Sequence, residues 1–325
     1  MILLLPWIPL GAALAVLLTP RERHGVLRGI ALASTAACFA IVLSLFFRLD
    51  PARAGYQFVH RFDWLPALGI HYQVGLDGIN LTFCLLHALV SLAGAFMAVR
   101  IQDRLKDYLF FYLLLTGSIY GVFTALDLFL LYLFYEMTLI PLYPMIGIWG
   151  SKNKEYGAMK LTIYITAGAV LALFGILMLY RHLGMESFDL IGIQEKLKGM
   201  PLSNHFQHLT APFFLIGFGV IASLGLPGFS NFAAELLVFI GSWAKYRLLV
   251  ALAVFGILIT GIYLLRAVQN VCYGPVNPKW KNLKDAGSFA EKFPFILLLG
   301  ALLVFGFWPQ GLLRFIRPAV GALLP

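Results

Sequence analysis

Residues 127–150 read DLFLLYLFYEMTLIPLYPMIGIWG, and between Asp127 and Gly150 the only charge is Glu136. A run of about 20 apolar residues is long enough to cross a bilayer as a helix. It predicts a spanning helix over 128–149 with a carboxyl group near its middle. A charge at that depth costs roughly 3 kcal/mol or more, so an intramembrane acid points first to a proton or ion pathway. The plainer reading is a neutral Glu136 that only hydrogen-bonds between helices. Tyr132 precedes it by one turn, and Pro141 and Pro144 follow it. Each proline frees a backbone carbonyl that water or a side chain must satisfy.

The rest of the 325-residue chain has the same character. It is 61% hydrophobic and 12% charged, with a mean hydropathy of +0.86, whereas soluble domains carry about 25% charged residues. The composition predicts an all-α, polytopic integral membrane protein, a single transmembrane domain over residues 1–325. Spans are expected at 2–19, 28–47, 79–99, 107–125, 128–149, 160–180, 247–271 and 293–308. Residues 211–244 are too long for one crossing and are interrupted at Leu226-Pro227-Gly228, which predicts a broken helix or two short ones. The total is nine or ten crossings. The run at 2–19 has no basic leader and no small-residue cleavage site, so it reads as the first membrane helix. The connections at 48–78, 181–210 and 273–292 read as polar linkers.

Loop charge sets the expected orientation. Arg21, Arg23 and Arg28 follow the first span, which places that loop in the cytoplasm and the N-terminus outside. Alternation makes 100–107 and 151–156 cytoplasmic, and both are net basic. The linker bearing Lys279, Lys281, Lys284 and Lys292 joins them only if 211–244 makes an even number of passes, which is the expectation adopted. The net charge of +9 is thus topological and no nucleic-acid footprint. Cys38, Cys84 and Cys272 lack metal-ligand spacing and read as packing residues.

Four other positions invite a chemical reading. Glu235 follows the Pro227-Gly228 break by seven residues, and half-helix ends at membrane depth are a device of ion sites; the plain alternative is a cap or polar tether. Lys160 is either a cation that tunes Glu136 or a lysine snorkelling to the cytoplasmic surface. His87, inside the third span, reads as a neutral interhelical hydrogen-bonder before a relay. Asp77 and Asn80 sit where a helix begins, and capping is their default reading. The sequence contains no iron–sulfur or haem ligand set, no phosphate loop and no nucleotide fingerprint.

Three segments together resemble the antiporter-type proton-pumping membrane subunits of respiratory complex I, most closely the chain M branch. They are 74–83 (VGLDGINLTF), 133–150 (LFYEMTLIPLYPMIGIWG) and 222–243 (ASLGLPGFSNFAAELLVFIGSW). The likeness runs over almost the whole chain, with 1–180 similar to family helices one to six, 205–271 to the late broken helix and its successor, and 293–308 to the last helix. It implies proton translocation in a membrane arm of NADH-quinone oxidoreductase, driven by quinone reduction elsewhere. Quinone, FMN and iron–sulfur clusters are then expected on other subunits, this chain carries no cofactor and no metal, and its partners are the other membrane-arm subunits and the lipid of a bacterial inner membrane. Glu136 matches the glutamate of the first half-channel, Glu235 the acidic end of the second, and Lys160 a family lysine. In the implied mechanism Glu136 exchanges a proton with a water path as a neighbouring cation moves, and Glu235 passes it on.

The family is built on inverted helical repeats, and here about five central helices have no counterpart. The buried lysines they carry go with them, and the family lysine of helix seven falls near the apolar Val220 and Ile221. A contracted relative, an internal deletion between repeats and an incomplete chain all give this pattern. Two further readings stand beside the first. One is a subunit of a multi-chain Na⁺/H⁺ antiporter or membrane-bound hydrogenase; the other is a structural membrane spacer that moves no protons.

Overall fold

A computed structural model describes residues 1–199 and 289–323, apart from residues 54, 151–152, 186 and 308–309. The expectations for 211–244, the break at Leu226–Gly228, Glu235, 247–271 and Cys272 lie outside the described residues. Within them the chain forms α1 (Leu4–Leu18), α2 (His24–Arg48), α3 (Gly78–Met97), α4 (Leu105–Thr124), α5 (Leu128–Trp149), α6 (Lys154–His182), α7 (Leu190–Gly199), α8 (Phe289–Phe307) and α9 (Gln310–Leu323). Five of these, α2 to α6, are long and apolar enough to cross a membrane. The chain is a polytopic, mostly helical membrane protein.

Three helices, α3, α5 and α7, begin at an aspartate that accepts from their first amides. Asp77 caps α3 by accepting from Asn80 N at 2.7 Å, the capping role expected of it. Asp127 caps α5 by accepting from Phe129 N at 2.9 Å and Leu130 N at 3.0 Å. Each carboxylate satisfies amide donors that a helix start leaves unpaired. Asp189 does the same for α7, accepting from Ile191 N and Gly192 N.

A two-stranded antiparallel hairpin, β1 (Gln57–Leu65) and β2 (Ile70–Leu76), occupies the connection expected to be a polar linker. Its turn closes at Gly69, whose φ of 66° is left-handed and suits a residue without Cβ. β2 is almost wholly buried and β1 almost wholly exposed. Backbone bonds carry the layer onward: Leu126 N donates to Gln73 O at 2.8 Å, Phe188 N to Gly69 O at 3.2 Å, Leu128 N to Phe188 O at 2.9 Å and Leu190 N to Leu126 O at 2.9 Å. The hairpin, the turn before α5 and the start of α7 therefore form one cap over a single face of the bundle.

The bundle core gathers Cys38, Cys84, Tyr120, Leu130 and Phe134 near the cap, and Leu27, Leu105, Leu109 and Leu113 near the opposite face. Gly121 leaves the space that the Phe134 ring fills. At the far end of α3, Phe96 meets Phe293 of α8 with ring centroids 4.7 Å apart. At its near end, Phe315 of α9 packs against Phe46 with tilted rings 4.6 Å apart, and its backbone lies where a side chain on Gly78 would be. So α8 runs from the face opposite the hairpin back toward it. Lys292 lies on the same face as Arg104, and Lys196 on the hairpin face.

Candidate functional site

Glu136 is the ninth residue of the 22-residue α5. At 1.5 Å per residue it stands about 20 Å from the Trp149 end and about 12 Å from the Leu128 end. Its side chain is half-buried, and its Oε1 is buried with no hydrogen-bond partner among the described residues. Tyr132, one turn earlier, lies beside it. The carboxylate borders an open groove of about 570 Å³ lined by Leu133, Met137, Leu139, Ile140 and Tyr143 of α5 and by Thr162 and Thr166 of α6.

Pro141 and Pro144 shape this groove from within α5. A proline cannot donate to the carbonyl four residues before it. The carbonyls of Met137 and Ile140 therefore lack their helical donors, and both residues line the groove. A carboxylate oxygen without a partner, two residues whose carbonyls lack their usual donors, and two threonines, of which Thr162 donates to Ala158 O at 2.9 Å, thus line one largely apolar groove. Groups of this kind hold water in chains that conduct protons: carbonyls accept, while hydroxyls and a carboxyl that gains and loses its proton both accept and donate.

Lys160 stands elsewhere. It is exposed on α6, and its Nζ lies 5.9 Å from the Tyr156 ring centroid and 5.8 Å from that of Tyr164. Among the described residues it makes no ion pair. The axial arithmetic explains why. α5 and α6 run antiparallel, with Trp149 and Lys154 at the same end. Lys160 is six residues into α6, about 9 Å from that end, whereas Glu136 is about 20 Å from it. Thr166, about 18 Å along, is level with the carboxylate. The cation sits low on α6 in a tyrosine clamp, the geometry of a snorkelling lysine.

His87 is buried between α3 and α4, with Nε2 3.1 Å from Thr116 O and its ring edge-on to Tyr120 at 4.5 Å. This is the interhelical bond expected of it. Cys38 and Cys84 are buried free thiols. Burial pushes the carboxyls of the two caps, Asp77 and Asp127, above the ordinary carboxylate range, against the opposing pull of their amide donors. The sequence signal for Thr162 and Thr166 is their i, i+4 spacing within the apolar stretch of α6.

A family profile described as "NADH:quinone oxidoreductase/Mrp antiporter, TM" matches residues 125–220, the stretch that carries Glu136, both prolines and both threonines. NADH-quinone oxidoreductase subunit M of Rhodobacter capsulatus is 33% identical over 243 residues, covering 72% of this chain and 44% of its own length. Over residues 125–220 the chain is similar to a membrane segment that NADH:quinone oxidoreductases and Mrp antiporters share. Respiratory complex I from Thermus thermophilus contains a chain that superposes with a TM-score of 0.56 at 25% identity, over 68% of this chain and 43% of that one. The Mrp complex from Dietzia sp. shares the fold, with a TM-score of 0.55 at 19% identity over 67% of this chain and 23% of its own. The chain spans less than half the length of these relatives.

Proposed function

We propose that this chain is a proton-translocating membrane-arm subunit of an NADH-quinone oxidoreductase, seated in a bacterial inner membrane with its N-terminus outside the cytoplasm. The observation that carries the reading is the Glu136 carboxylate at mid-helix, its Oε1 without a protein partner among the described residues, beside a groove into which two prolines and two threonines bring polar groups. Glu136 takes up and releases a proton through water in this groove, and Thr162 and Thr166 order that water. Glu235, from the second half of the pathway, receives the proton. Lys160 acts from the cytoplasmic end of α6 as a field on the groove mouth rather than as a contact partner. Redox chemistry belongs to other subunits, which hold the FMN and iron–sulfur clusters and reduce quinone.

Glu136→Gln tests this in the assembled complex reconstituted in vesicles, with assembly checked on native gels. The expected outcome is a complex that still assembles but moves fewer protons per electron. Full pumping stoichiometry would refute the role. A multi-subunit Na⁺/H⁺ antiporter is the second reading, favoured by the shared fold of the Mrp complex. It predicts Na⁺-dependent pH changes in vesicles that have no NADH-oxidising chains.

A further inference from the structure

The proposed pathway leaves His71 of β2 without a role, although its surroundings are closely specified. Its backbone N–H donates to Asp127 Oδ2 at 3.2 Å, tying the hairpin to the cap of α5. Its side chain is 10% exposed. Asp63, directly opposite on β1, places Oδ1 3.0 Å from Nδ1, and Arg61, two residues earlier on β1, places a guanidinium nitrogen 2.8 Å from Nε2. A guanidinium has donors only, so Nε2 must be the unprotonated acceptor. The ring proton is then on Nδ1, donated to Asp63.

We propose that His71 is a proton-operated latch of the hairpin cap: neutral, it holds Arg61 and closes β1 over β2; protonated, it expels Arg61 and loosens β1. A proton on Nε2 would set two N–H donors against each other across 2.8 Å, and Arg61, which is exposed, is the group free to leave. The carboxylates that face the ring do not offset this. Asp63 is 68% exposed, so its attraction to a charged imidazole is weakened by water. Asp127 already accepts from three backbone N–H groups, those of His71, Phe129 and Leu130. Asp189, bridged to Asp127 through the backbone, spends its carboxylate on Ile191 N and Gly192 N. β1 is the strand that yields because it is exposed along nearly its whole length while β2 is buried. The latch rests on the proposed function only for its meaning: protons released at the hairpin face would loosen the cap that sits over α5.

Hydrogen–deuterium exchange on the full 325-residue chain in lipid nanodiscs tests the latch, comparing about pH 8 with about pH 5, the range over which imidazoles change charge. Protection is corrected for intrinsic exchange at each pH. Protection of the β1 amides, residues 57–65, is expected to fall about tenfold on acidification, the scale of one lost charge-assisted hydrogen bond, while amides in α4 stay constant. In Arg61→Ala, an exposed position that leaves the core intact, the acid step should shrink to less than about threefold. His71→Gln, which cannot gain a proton, should abolish it. Constant β1 protection in the native chain, or an equal acid step in Arg61→Ala, overturns the latch. Exchange is read without pumping, so failure of the Glu136 experiment leaves this result interpretable.

Discussion

Replacing Asp127 with alanine should loosen the hairpin face more than any surface change, and the structure sets the size of the effect. The carboxylate is fully buried and accepts from Phe129 N at 2.9 Å, Leu130 N at 3.0 Å and His71 N at 3.2 Å. Loss of an N-cap costs about 0.5–2 kcal/mol. The His71 N–H would in addition be left buried without an acceptor, at about 1–3 kcal/mol. Together these give about 1.5–5 kcal/mol, offset in part because burial already strains the charged carboxylate. Asp127→Asn separates the two contributions: its amide oxygen still caps α5, but its NH₂ cannot accept from His71, so about half of the loss should remain. Cys38 and Cys84 are buried free thiols and supply the assay, since a thiol-reactive fluorophore labels them only on unfolding. The expected shift in midpoint is roughly 5–10 °C downward for alanine and about half that for asparagine. An alanine variant as stable as the native chain, or an asparagine variant equal to the alanine one, would refute the reasoning.

Three further outcomes rest on the same geometry. Thr166→Val, which removes a hydroxyl at the level of Glu136, should slow proton uptake several-fold in reconstituted complex. Lys160→Met should change it by less than about threefold, because its tyrosine clamp is worth only about 0.5–1 kcal/mol and lies about 11 Å lower on the axis; pump rates after each change decide between them. Single cysteines in place of Arg104 and Lys292 should both react with an impermeant maleimide from the cytoplasm, and cysteines in place of Trp64 and Glu195 only from the other side. Labelling of Lys292→Cys from the hairpin side would reverse α8.

The spans were legible because apolar length is nearly sufficient to specify a membrane helix. Residues 128–149 were expected as one helix, and α5 has those bounds. Asp77 was read as a cap, and His87 as an interhelical hydrogen-bonder, because short acceptors at helix starts and lone buried imidazoles have few other options; the structure agrees on both. The hairpin was missed for a physical reason. Strands of nine and seven residues with one solvated face carry no span-length apolar run, and their register comes from the turn at Gly69 and from β2 docking on Leu126, both long-range matters. α9 escaped for a similar reason, since 14 residues with Arg314 and Arg317 on the outer side are too short and too charged for a span. Sequence spacing does not give axial height across an antiparallel pair, and the start of α6 at Lys154 supplies that height for Lys160.

That height bears on how α5 tolerates its carboxylate. An acid at mid-membrane is stabilised by a cation, by direct hydrogen bonds or by water. Among the described residues, Lys160 lies about 11 Å too low for the first, and Tyr132 beside the carboxylate leaves Oε1 without a protein partner for the second. Water is the remaining means, and the two prolines favour it. By removing donors to Met137 and Ile140 they leave carbonyls that need hydrogen bonds on the wall where the acid stands. The prolines and the glutamate are therefore one device: an apolar helix locally opened so that a wet carboxylate can exist at its centre. Restoring the donors with Pro141→Ala and Pro144→Ala should strengthen α5 as a helix and dry the groove, so a double variant that is more stable yet slower to exchange protons is the combination this device requires.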